Sequence, residues 1–404
     1  MLVATVLLVI AAALPPQFQA KVQEGAAALD KNDLARARAA FEQATRIAPN
    51  EAGGWLMLAQ TCARQKANAD ALAAARKAET LGAKNPQILQ GLANFYATLV
   101  PDLPKAAAMG QRYAELSPRD VTAWRRLAEF CLNAGLVDQA VAAGTRALAV
   151  DNSAATHTVL GSAYLARKDF SRGVAELALA LKANPYDEGA HFRLSQAHLM
   201  AQDFAGAVEV LLNARRTFDK SPQIELALGV AYYGQRKFPE AIAQFLRTMD
   251  LAPDVPQPYL FLGRMMDHLT DRLPEMIDRF TRFQTRNPKS PIGYLLHAKA
   301  IVQSLPANGY PPEAAAAFEL TQKALALEDK DAEAHYLMGV LLDRQQRYGD
   351  AAAQLERSVQ LNPKDSAVHF RLARVYDRLG RKDDAVRERE LHEKLSEEER
   401  AKPR

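Results

Sequence analysis

The sequence is poor in the residues that hold several other classes of protein together. Its 404 residues include two cysteines, and aromatic residues make up only 7% of the chain. Two cysteines cannot build a disulfide framework or a four-cysteine zinc site. A large core built from bulky rings would need more aromatic residues. These shortages exclude a disulfide-stapled protein and indicate a core of small side chains.

An excess of charge of one sign is also missing. The chain has 51 basic and 47 acidic residues, a formal charge of +4, and a mean hydropathy of −0.22. So balanced a charge argues against nucleic-acid binding unless the basic residues are segregated on one face. The overall polarity excludes a protein with many membrane spans. We therefore predict no nucleic-acid partner and no stable membrane span.

Long apolar runs are restricted to the first residues. Residues 1–14 carry no charged side chain and are followed by Pro15 and Pro16. This run is shorter than the roughly 20 residues of a spanning helix, and its alanines resemble a signal-peptide cleavage site. We interpret residues 1–16 as a segment that resembles a signal peptide or a membrane anchor. We therefore expect the protein to be exported, to the periplasm or out of the cell. A short membrane anchor and a cytoplasmic protein with an apolar first helix are the alternatives.

Alanine is abundant and follows helical patterns. About a fifth of the residues are alanine. Apolar residues recur at spacings of three and four, and no stretch alternates with the period of two that a strand needs. Because alanine favours helices and lets neighbouring backbones approach closely, we predict an all-α fold with tightly packed helices.

The chain repeats itself at a regular interval. Three segments align, and each reads as two amphipathic helices joined by a short turn: residues 155–185, 222–253 and 332–363. In each, a mid-helix glycine lies twelve residues before a glycine or alanine, and a proline follows twelve residues later. A glycine inside a helix costs about 1 kcal/mol relative to alanine and therefore needs a packing reason. We predict close approach of the two helices at the pairs Gly161–Gly173, Gly229–Ala241 and Gly339–Ala351.

This pattern resembles the tetratricopeptide repeat family, whose units are about 34 residues long. The unit from Pro222 carries the family's Leu-Gly pair at Leu228 and Gly229, its tyrosine at Tyr232 and its proline at Pro253. The resemblance implies an all-α, right-handed superhelical solenoid of antiparallel helix pairs. About eleven units are expected within residues 17–399, followed by a polar tail at 400–404. Their predicted starts are Phe18, Ala52, Pro86, Val121, Ala154, Glu188, Pro222, Pro256, Pro291, Ala332 and Ser366.

Two repeats depart from the pattern through extra residues. The repeat from Pro86 has one extra residue, which we assign to the turn at Val100–Pro104. The repeat from Pro291 has an inter-helix turn lengthened by about seven residues at Ser304–Pro312. Either a partner contact or neutral drift accounts for such an insertion. The charged last repeat suits the end of an open stack.

Motifs of enzymes are not found in the sequence. It lacks a phosphate-binding glycine loop, a metalloprotease histidine pair and a nucleophile elbow. Four of the eight histidines share the fourth repeat position with Trp55 and Trp124, which predicts a packing role: His157, His191, His335 and His369. Cys62 and Cys131 share the eleventh position and are predicted to be small core residues. We predict a non-enzyme that has no cofactor and no metal.

The resemblance also implies a binding groove. In the family, the first helix of every unit lines a concave surface that binds peptides. Positions 5, 9 and 13 predict an apolar stripe beside a basic one, formed by Phe192, Gln196, Leu226, Val230, Leu260, Arg264, Leu295, Lys299, Tyr336, Arg344, Phe370, Arg374 and Arg378. The partner expected from these stripes is a protein or peptide with apolar and acidic residues. Packing and solvation of the same side chains are the alternative interpretation.

The functional prediction is a non-enzymatic protein–protein interaction scaffold. The signal-like terminus adds a role in bacterial envelope assembly or secretion to this expectation. A regulatory or substrate-recruiting subunit of an enzyme encoded separately is one alternative, and an RNA-binding helical repeat is another. The carboxylate clamp that some family members use is not predicted, because Glu129 accompanies the nearest candidates Gln90, Asn94 and Arg125 and would repel a carboxylate.

Overall fold

The computed structural model describes residues 14–306 and 309–401, and over this part of the chain it has 22 α-helices and no β-strand. The predicted signal or anchor segment lies, up to residue 13, outside the described residues. The helices of repeats 1 to 6 are α1 Pro16–Asp30, α2 Leu34–Ile47, α3 Ala52–Arg64, α4 Asn68–Leu81, α5 Pro86–Asn94, α6 Leu103–Leu116, α7 Val121–Asn133, α8 Val137–Val150, α9 Ala154–Ala166, α10 Phe170–Ala183, α11 Glu188–Met200 and α12 Phe204–Thr217. Those of repeats 7 to 11 are α13 Pro222–Gly234, α14 Phe238–Leu251, α15 Pro256–Arg264, α16 Leu273–Arg286, α17 Pro291–Ser304, α18 Pro312–Leu327, α19 Ala332–Arg344, α20 Tyr348–Leu361, α21 Ser366–Arg378 and α22 Lys382–Ala401.

The all-α prediction and the paired helices are confirmed. Ten of the eleven predicted repeat starts coincide with the first residue of a helix, and the first repeat begins at Pro16 instead of Phe18. The local reason is visible in the caps. Asp120 caps α7 through the backbone amides of Thr122 and Ala123, and other repeats begin with proline, whose fixed φ suits the first helical turn. The last helix continues to Ala401, which is two residues into the predicted tail.

The turn between the two helices has the same conformation in eight repeats. Each of these turns has one residue with a positive φ, between 55° and 73°, at the fifteenth position of the repeat counted from the predicted start. These residues are Asn32, Lys66, Gly135, Lys168, Gln202, Arg236, Gln346 and Gly380. Only two of them are glycine, so six turns hold a side chain in the left-handed region, where it is disfavoured. The repeats without such a residue begin at Pro86, Pro256 and Pro291.

In two of those three repeats, the ones from Pro86 and Pro256, the first helix ends differently. In the repeat from Pro86, the extra residue forms a π-helix at Phe95–Leu99, directly after α5, and the assignment to Val100–Pro104 was therefore wrong. A π-turn absorbs one residue without ending the helix. In the repeat from Pro256, two 3₁₀ turns at Met266–His268 and Thr270–Arg272 follow the short α15.

The chain forms two compact units, Met1–Val210 and Leu211–Arg404. In the first, the main core consists mostly of alanine and leucine around Phe41 and Tyr96, both of which are fully buried. In the second, larger side chains such as Phe245 and Phe280 fill one core cluster, and smaller clusters lie further along the chain. The many fully buried alanines explain how so few aromatic residues suffice.

The mid-helix glycines mark close helix contacts, as predicted. A Cβ atom on Gly161 would lie 3.2 Å from the carbonyl oxygen of Gly173, and one on Gly339 would lie 3.3 Å from that of Ala351. At Gly229 the three nearest atoms all belong to the ring of Phe245, at 2.5–3.0 Å. At Gly161 and Gly339 the nearest atoms likewise belong to a side chain, that of Leu177 at 2.8 Å and that of Leu355 at 2.6 Å. In all three repeats the glycine therefore makes room for a side chain sixteen residues later, and the predicted partner is not the closest contact.

The fourth repeat position has a recurring structural role. Its side chain bonds the carbonyl group six residues earlier, in the turn between repeats: Trp55 Nε1 donates to Pro49 over 2.8 Å, and Tyr259 Oη donates to Pro253 over 2.9 Å. The Nε2 atom of His369 lies 3.0 Å from the carbonyl oxygen of Pro363. Trp124, His191, Tyr294 and His335 make the same contact. These bonds confirm the packing role predicted for His191, His335 and His369. His157 is buried as well, but its ring nitrogens contact Glu176 and Asn152 instead.

Beyond the first repeat, which has Lys21 here, two repeats have no ring at this position and use an arginine instead. Where Leu89 replaces the ring, Arg112 Nη2 donates to the carbonyl of Ala83 over 3.2 Å. Where Glu225 replaces it, Arg247 Nη2 donates to the carbonyl of Asp219 over 2.7 Å. In both repeats the accepting carbonyl again lies six residues before the fourth position. An arginine from the second helix thus preserves the bond that the missing ring would make.

The carboxylate of Glu225 is almost completely buried, with 1% of its side chain exposed. Its oxygens accept no well-aligned hydrogen bond from the described residues, although the Nε of Arg247 lies 2.9 Å from Oε1 and Nη1 of Arg215 lies 3.8 Å from Oε2. Burial raises the pKa of Glu225, and the charges of Arg247 and Arg215 oppose this effect. The raised pKa indicates that desolvation outweighs the two ion pairs.

Candidate partner-binding cavity

The second unit has a cavity of about 770 Å³ bordered by the first helices of repeats 9, 10 and 11. Its size lies within the range of ligand-binding clefts. The residues around it are Lys299, Val302, Gln303, Glu328, Lys330, Asp331, Ala332, Glu333, Tyr336, Leu337, Val340, Arg344, Asn362, Asp365 and Arg371. Three of them, Lys299, Tyr336 and Arg344, belong to the predicted groove.

Helix geometry explains why these side chains meet. Tyr336, Val340 and Arg344 are spaced four residues apart on α19 and therefore share one face. Capping aspartates fix where the lining helices begin: Asp331 accepts from the amide of Ala334 over 2.9 Å, and Asp365 accepts from that of Ala367 over 3.1 Å. The cavity thus extends from these helix starts to Arg344 at the last turn of α19.

The floor of the cavity is apolar. Leu337 and Val340 are buried, and Tyr336 is half-buried. Val302 on α17 adds a further apolar side chain. A partly solvated ring above aliphatic side chains provides a surface on which an apolar group of a partner can be desolvated.

The cavity is lined by equal numbers of basic and acidic residues, which differ in the contacts they make within the protein. Four basic residues, Lys299, Lys330, Arg344 and Arg371, face four acidic ones, Glu328, Asp331, Glu333 and Asp365. Glu333 forms an ion pair with Lys299, and the two aspartates accept from helix-start amides. Arg371 has only a long contact, 3.8 Å, with Asp343. Lys330 and Arg344 form no ion pair with a described residue, and neither does Glu328. The basic groups that keep free bonding capacity are therefore Lys330, Arg344 and Arg371.

The structure corrects the predicted groove at Leu295. Its side chain is 6% exposed and belongs to the core cluster that also contains Ala298, Ile301 and Leu337. Position 5 of this repeat therefore packs inside the protein and cannot contact a partner. Val340, which lies at position 9 of the next repeat, is also buried.

The other predicted groove residues do not line this cavity. Leu226 and Val230 are half-buried against the core of the second unit. Leu260 and Phe370 are exposed, while the guanidinium groups of Arg264 and Arg374 lie 5.7 and 5.9 Å from the ring centres of Phe261 and Phe370. Arg378 bonds Asp343 and lies over the ring of Tyr348. Phe192 and Gln196 belong to the first unit, where Phe192 is half-buried and Gln196 is exposed.

Sequence reasoning missed the cavity residues that lie outside positions 5, 9 and 13. Glu328, Lys330 and Asn362 lie in the turns between repeats, and Arg371 lies at the sixth position of the last repeat. A search limited to the face of the first helices cannot find turn residues. The charges of Glu328 and Lys330 in a short turn are the sequence signal that points to them.

The first unit has a smaller cavity of about 440 Å³ with a different lining. It contains Gln90, Asn94 and Glu129, and Arg126 donates to the Oδ1 of Asn94 over 3.4 Å. Phe95 of the π-helix is part of its wall. Arg125, the fourth residue considered for a carboxylate clamp, is not among the residues that line this cavity.

Cys62 and Cys131 are free and buried, as predicted for core residues. Burial raises the pKa of Cys131 to about 11 and also raises that of Cys62. Both thiols are therefore weak nucleophiles at neutral pH. No group of three or more potential metal ligands occurs among the described residues.

Helix pairs around a shared cavity define a protein of the helical-repeat class. A model of the tetratricopeptide repeat family matches residues 22–86, 102–155, 158–223, 202–256, 300–366 and 336–388, which together cover more than half of the chain. The chain therefore belongs to the tetratricopeptide repeat family. None of the helices in residues 14–306 and 309–401 has the length and apolar character that crossing a membrane requires.

Several solved structures are similar to this chain at low sequence identity. The MamA protein is 18% identical over 43% of this chain and 94% of its own, with a TM-score of 0.38. Cut9, from the APC/C hetero-tetramer Cut9–Hcn1, is 14% identical over 94% of both chains, with a TM-score of 0.43. YrrB, a TPR protein with an unusual peptide-binding site, is 17% identical over 46% of this chain and 95% of its own, with a TM-score of 0.37. No curated protein sequence matches the chain.

Proposed function

We propose that this protein is a non-enzymatic interaction scaffold that holds a segment of a partner protein in the cavity of repeats 9 to 11. Membership of the tetratricopeptide repeat family supports the general role of binding proteins. The observation that carries the proposal is the combination of a half-buried Tyr336 with cationic groups that have free bonding capacity around one cavity. The partner segment presents an apolar side chain to Tyr336 and an acidic one to the basic groups.

A random twelve-residue peptide library displayed on mRNA tests the proposal directly. Wild-type protein should enrich peptides that combine leucine or phenylalanine with aspartate or glutamate. Tyr336→Ala should weaken the enriched peptides about tenfold or more, because truncating an interface anchor costs the partner its desolvated contact. Leu327→Ala is the matched control, since Leu327 is exposed on α18 and does not line the cavity. Equal binding by the wild type and Tyr336→Ala would place the interaction elsewhere.

We also propose that residues 1–16 direct export and that the scaffold acts in assembly or secretion at a bacterial envelope. The uncharged run of residues 1–14 supports this proposal. Intact mass and N-terminal sequencing of the protein from its own host should show cleavage between Ala13 and Ala20. A full-length product in the cytoplasm would contradict it.

A further inference from the structure

The insertion of repeat 9 is bonded to the end of the helix that lines the cavity. Arg344 Nη1 donates to the carbonyl oxygens of Pro306 and Gly309, over 2.9 and 3.4 Å. Gln345 Nε2 donates to the hydroxyl of Tyr310 over 2.6 Å. Arg344, the last residue of α19, and Gln345, which follows it, are thus both bonded to residues of the insertion. Because both acceptors of Arg344 are main-chain carbonyls, the backbone at Pro306 and Gly309 fixes where this guanidinium lies.

The bonds to the insertion use only one edge of the Arg344 guanidinium. A guanidinium has five N–H donors, and Nη1 provides two of them. The three N–H groups on Nε and Nη2 make no hydrogen bond to the described residues. Arg344 also lines the cavity, one and two helical turns from Val340 and Tyr336. An arginine that is already ordered and still has a free edge is prepared to bind a planar anion.

We propose that the insertion positions Arg344 as a specificity-determining residue that recognises a carboxylate of the partner segment. This inference rests on the proposed function of the cavity and adds the chemistry of one contact. The carbonyls of Pro306 and Gly309 hold one edge of the guanidinium, and the other edge pairs with the side chain of an aspartate or glutamate. The insertion is thereby a recognition element.

The surrounding charges favour a carboxylate over a phosphate. Glu333, Asp331 and Asp365 line the same cavity and would repel a doubly charged group more strongly than a singly charged one. Lys299, the basic residue that α17 contributes to the cavity, is already paired with Glu333. One ordered arginine edge matches the two oxygens of a single carboxylate.

The test uses one peptide enriched from the random library and its variant with amides in place of all carboxylates. Binding is measured by fluorescence anisotropy. Wild-type protein should bind the acidic peptide about tenfold more tightly than the amide peptide, since a hydrogen bond to a charged group is typically worth that much. Arg344→Gln should reduce this ratio to below about twofold. Arg216→Gln is the matched control, because Arg216 is exposed on α12, a second helix, and belongs neither to the predicted groove nor to the cavity lining.

Tyr310→Phe tests the role of the insertion separately. It removes the acceptor of Gln345 and leaves the ring in place, so the protein should lose no more stability than one hydrogen bond provides, about 1 kcal/mol. The preference for the acidic peptide should fall about threefold, as expected when one bond that orders the site is lost. A full preference in Arg344→Gln would overturn the inference while leaving the proposed function intact. Failure of the wild type to enrich any peptide would instead contradict the proposed function.

Discussion

Glu225 occupies the position at which most repeats place a ring that donates a hydrogen bond. As a carboxylate it cannot donate, and Arg247 has taken over the bond to the carbonyl of Asp219. With glutamate in place of the ring, a buried carboxyl group lies between Arg247 and Arg215. Burial raises the pKa of this Glu225 carboxyl group. A residue whose folded-state pKa lies above its unfolded value of about 4.5 makes stability depend on pH.

The sign of this dependence is a testable prediction. The folded protein binds the proton of Glu225 more tightly than the unfolded chain, so this residue lowers the free energy of unfolding as the pH rises above about 4.5 toward neutrality. Thermal unfolding of the wild type and Glu225→Gln should be compared at pH 7, 6 and 5. The difference in midpoint should shift in favour of the wild type as the pH falls.

Glu240→Gln serves as the control, because Glu240 is exposed on α14, the same helix as Arg247. Its difference from the wild type should be nearly constant over this pH range. A constant difference for Glu225→Gln as well would show that the carboxylate has the same pKa in the folded and unfolded chain.

Two glycines offer a second prediction at the scale of single residues. A Cβ on Gly229 would lie 2.5 Å from the Phe245 ring, whereas a Cβ on Gly349 in α20 would meet nothing within 4 Å. Gly229→Ala should therefore destabilise the protein by about 1–3 kcal/mol through overpacking. Gly349→Ala should stabilise it by about 0.5–1 kcal/mol, because alanine suits a helix better. Circular dichroism melts measure both, and equal effects would refute the contact at Gly229.

At the scale of the helix pair, replacing a turn residue that has a positive φ should increase the stability of the protein. Arg236 has a φ of 60° and an exposed side chain. Glycine adopts this conformation without the cost that a Cβ imposes, and this gain exceeds the entropy that glycine adds to the unfolded chain. Arg236→Gly should raise the free energy of unfolding by about 0.5–1 kcal/mol. Arg236→Ala keeps the Cβ and should bring no gain, so equal melts for the two variants would contradict the explanation.

The helix pairs were predictable because their signals are local. The repeat starts at Ala52, Val121 and Ser366, for example, follow from apolar spacing and from the cap residue before each helix. The extra residue of the repeat from Pro86 was placed in the wrong segment, since the choice between a longer turn and a π-helix depends on how Phe95 and Tyr96 pack in the core. Sequence spacing does not contain that information.

The candidate site was predictable only in part, because its key contacts join distant residues. Lys299 reads as an exposed cation, but Glu333 on the next first helix pairs with it. Leu295 reads as a groove residue, but the first helix of the following repeat helps to bury it. Arg344 reads as one of several basic residues until its bonds to the Pro306 and Gly309 carbonyls are known. Each outcome depends on packing between repeats.

For the molecule as a whole, a repeat array predicts that damage stays local. Each repeat of such an array contacts its neighbours in sequence, so stability is a sum of repeat and neighbour contributions. Gly25 in repeat 1 and Gly339 in repeat 10 allow a reciprocal test. A Cβ on Gly25 would lie 2.6 Å from the Phe41 ring, and one on Gly339 would lie 2.6 Å from Leu355.

Gly25→Ala should increase amide hydrogen exchange in repeats 1 and 2 and leave repeats 9 to 11 unchanged, whereas Gly339→Ala should have the reverse effect. The physical reason is that overpacking lowers the free energy of local opening in the helices it strains, and exchange reports that opening helix by helix. Mass spectrometry of peptide fragments provides this resolution. Gly349→Ala controls for the substitution itself, because it introduces the same methyl group without strain. A uniform increase over all repeats in either variant would mean that the chain opens as one cooperative body, and the additive description of the array would then be wrong.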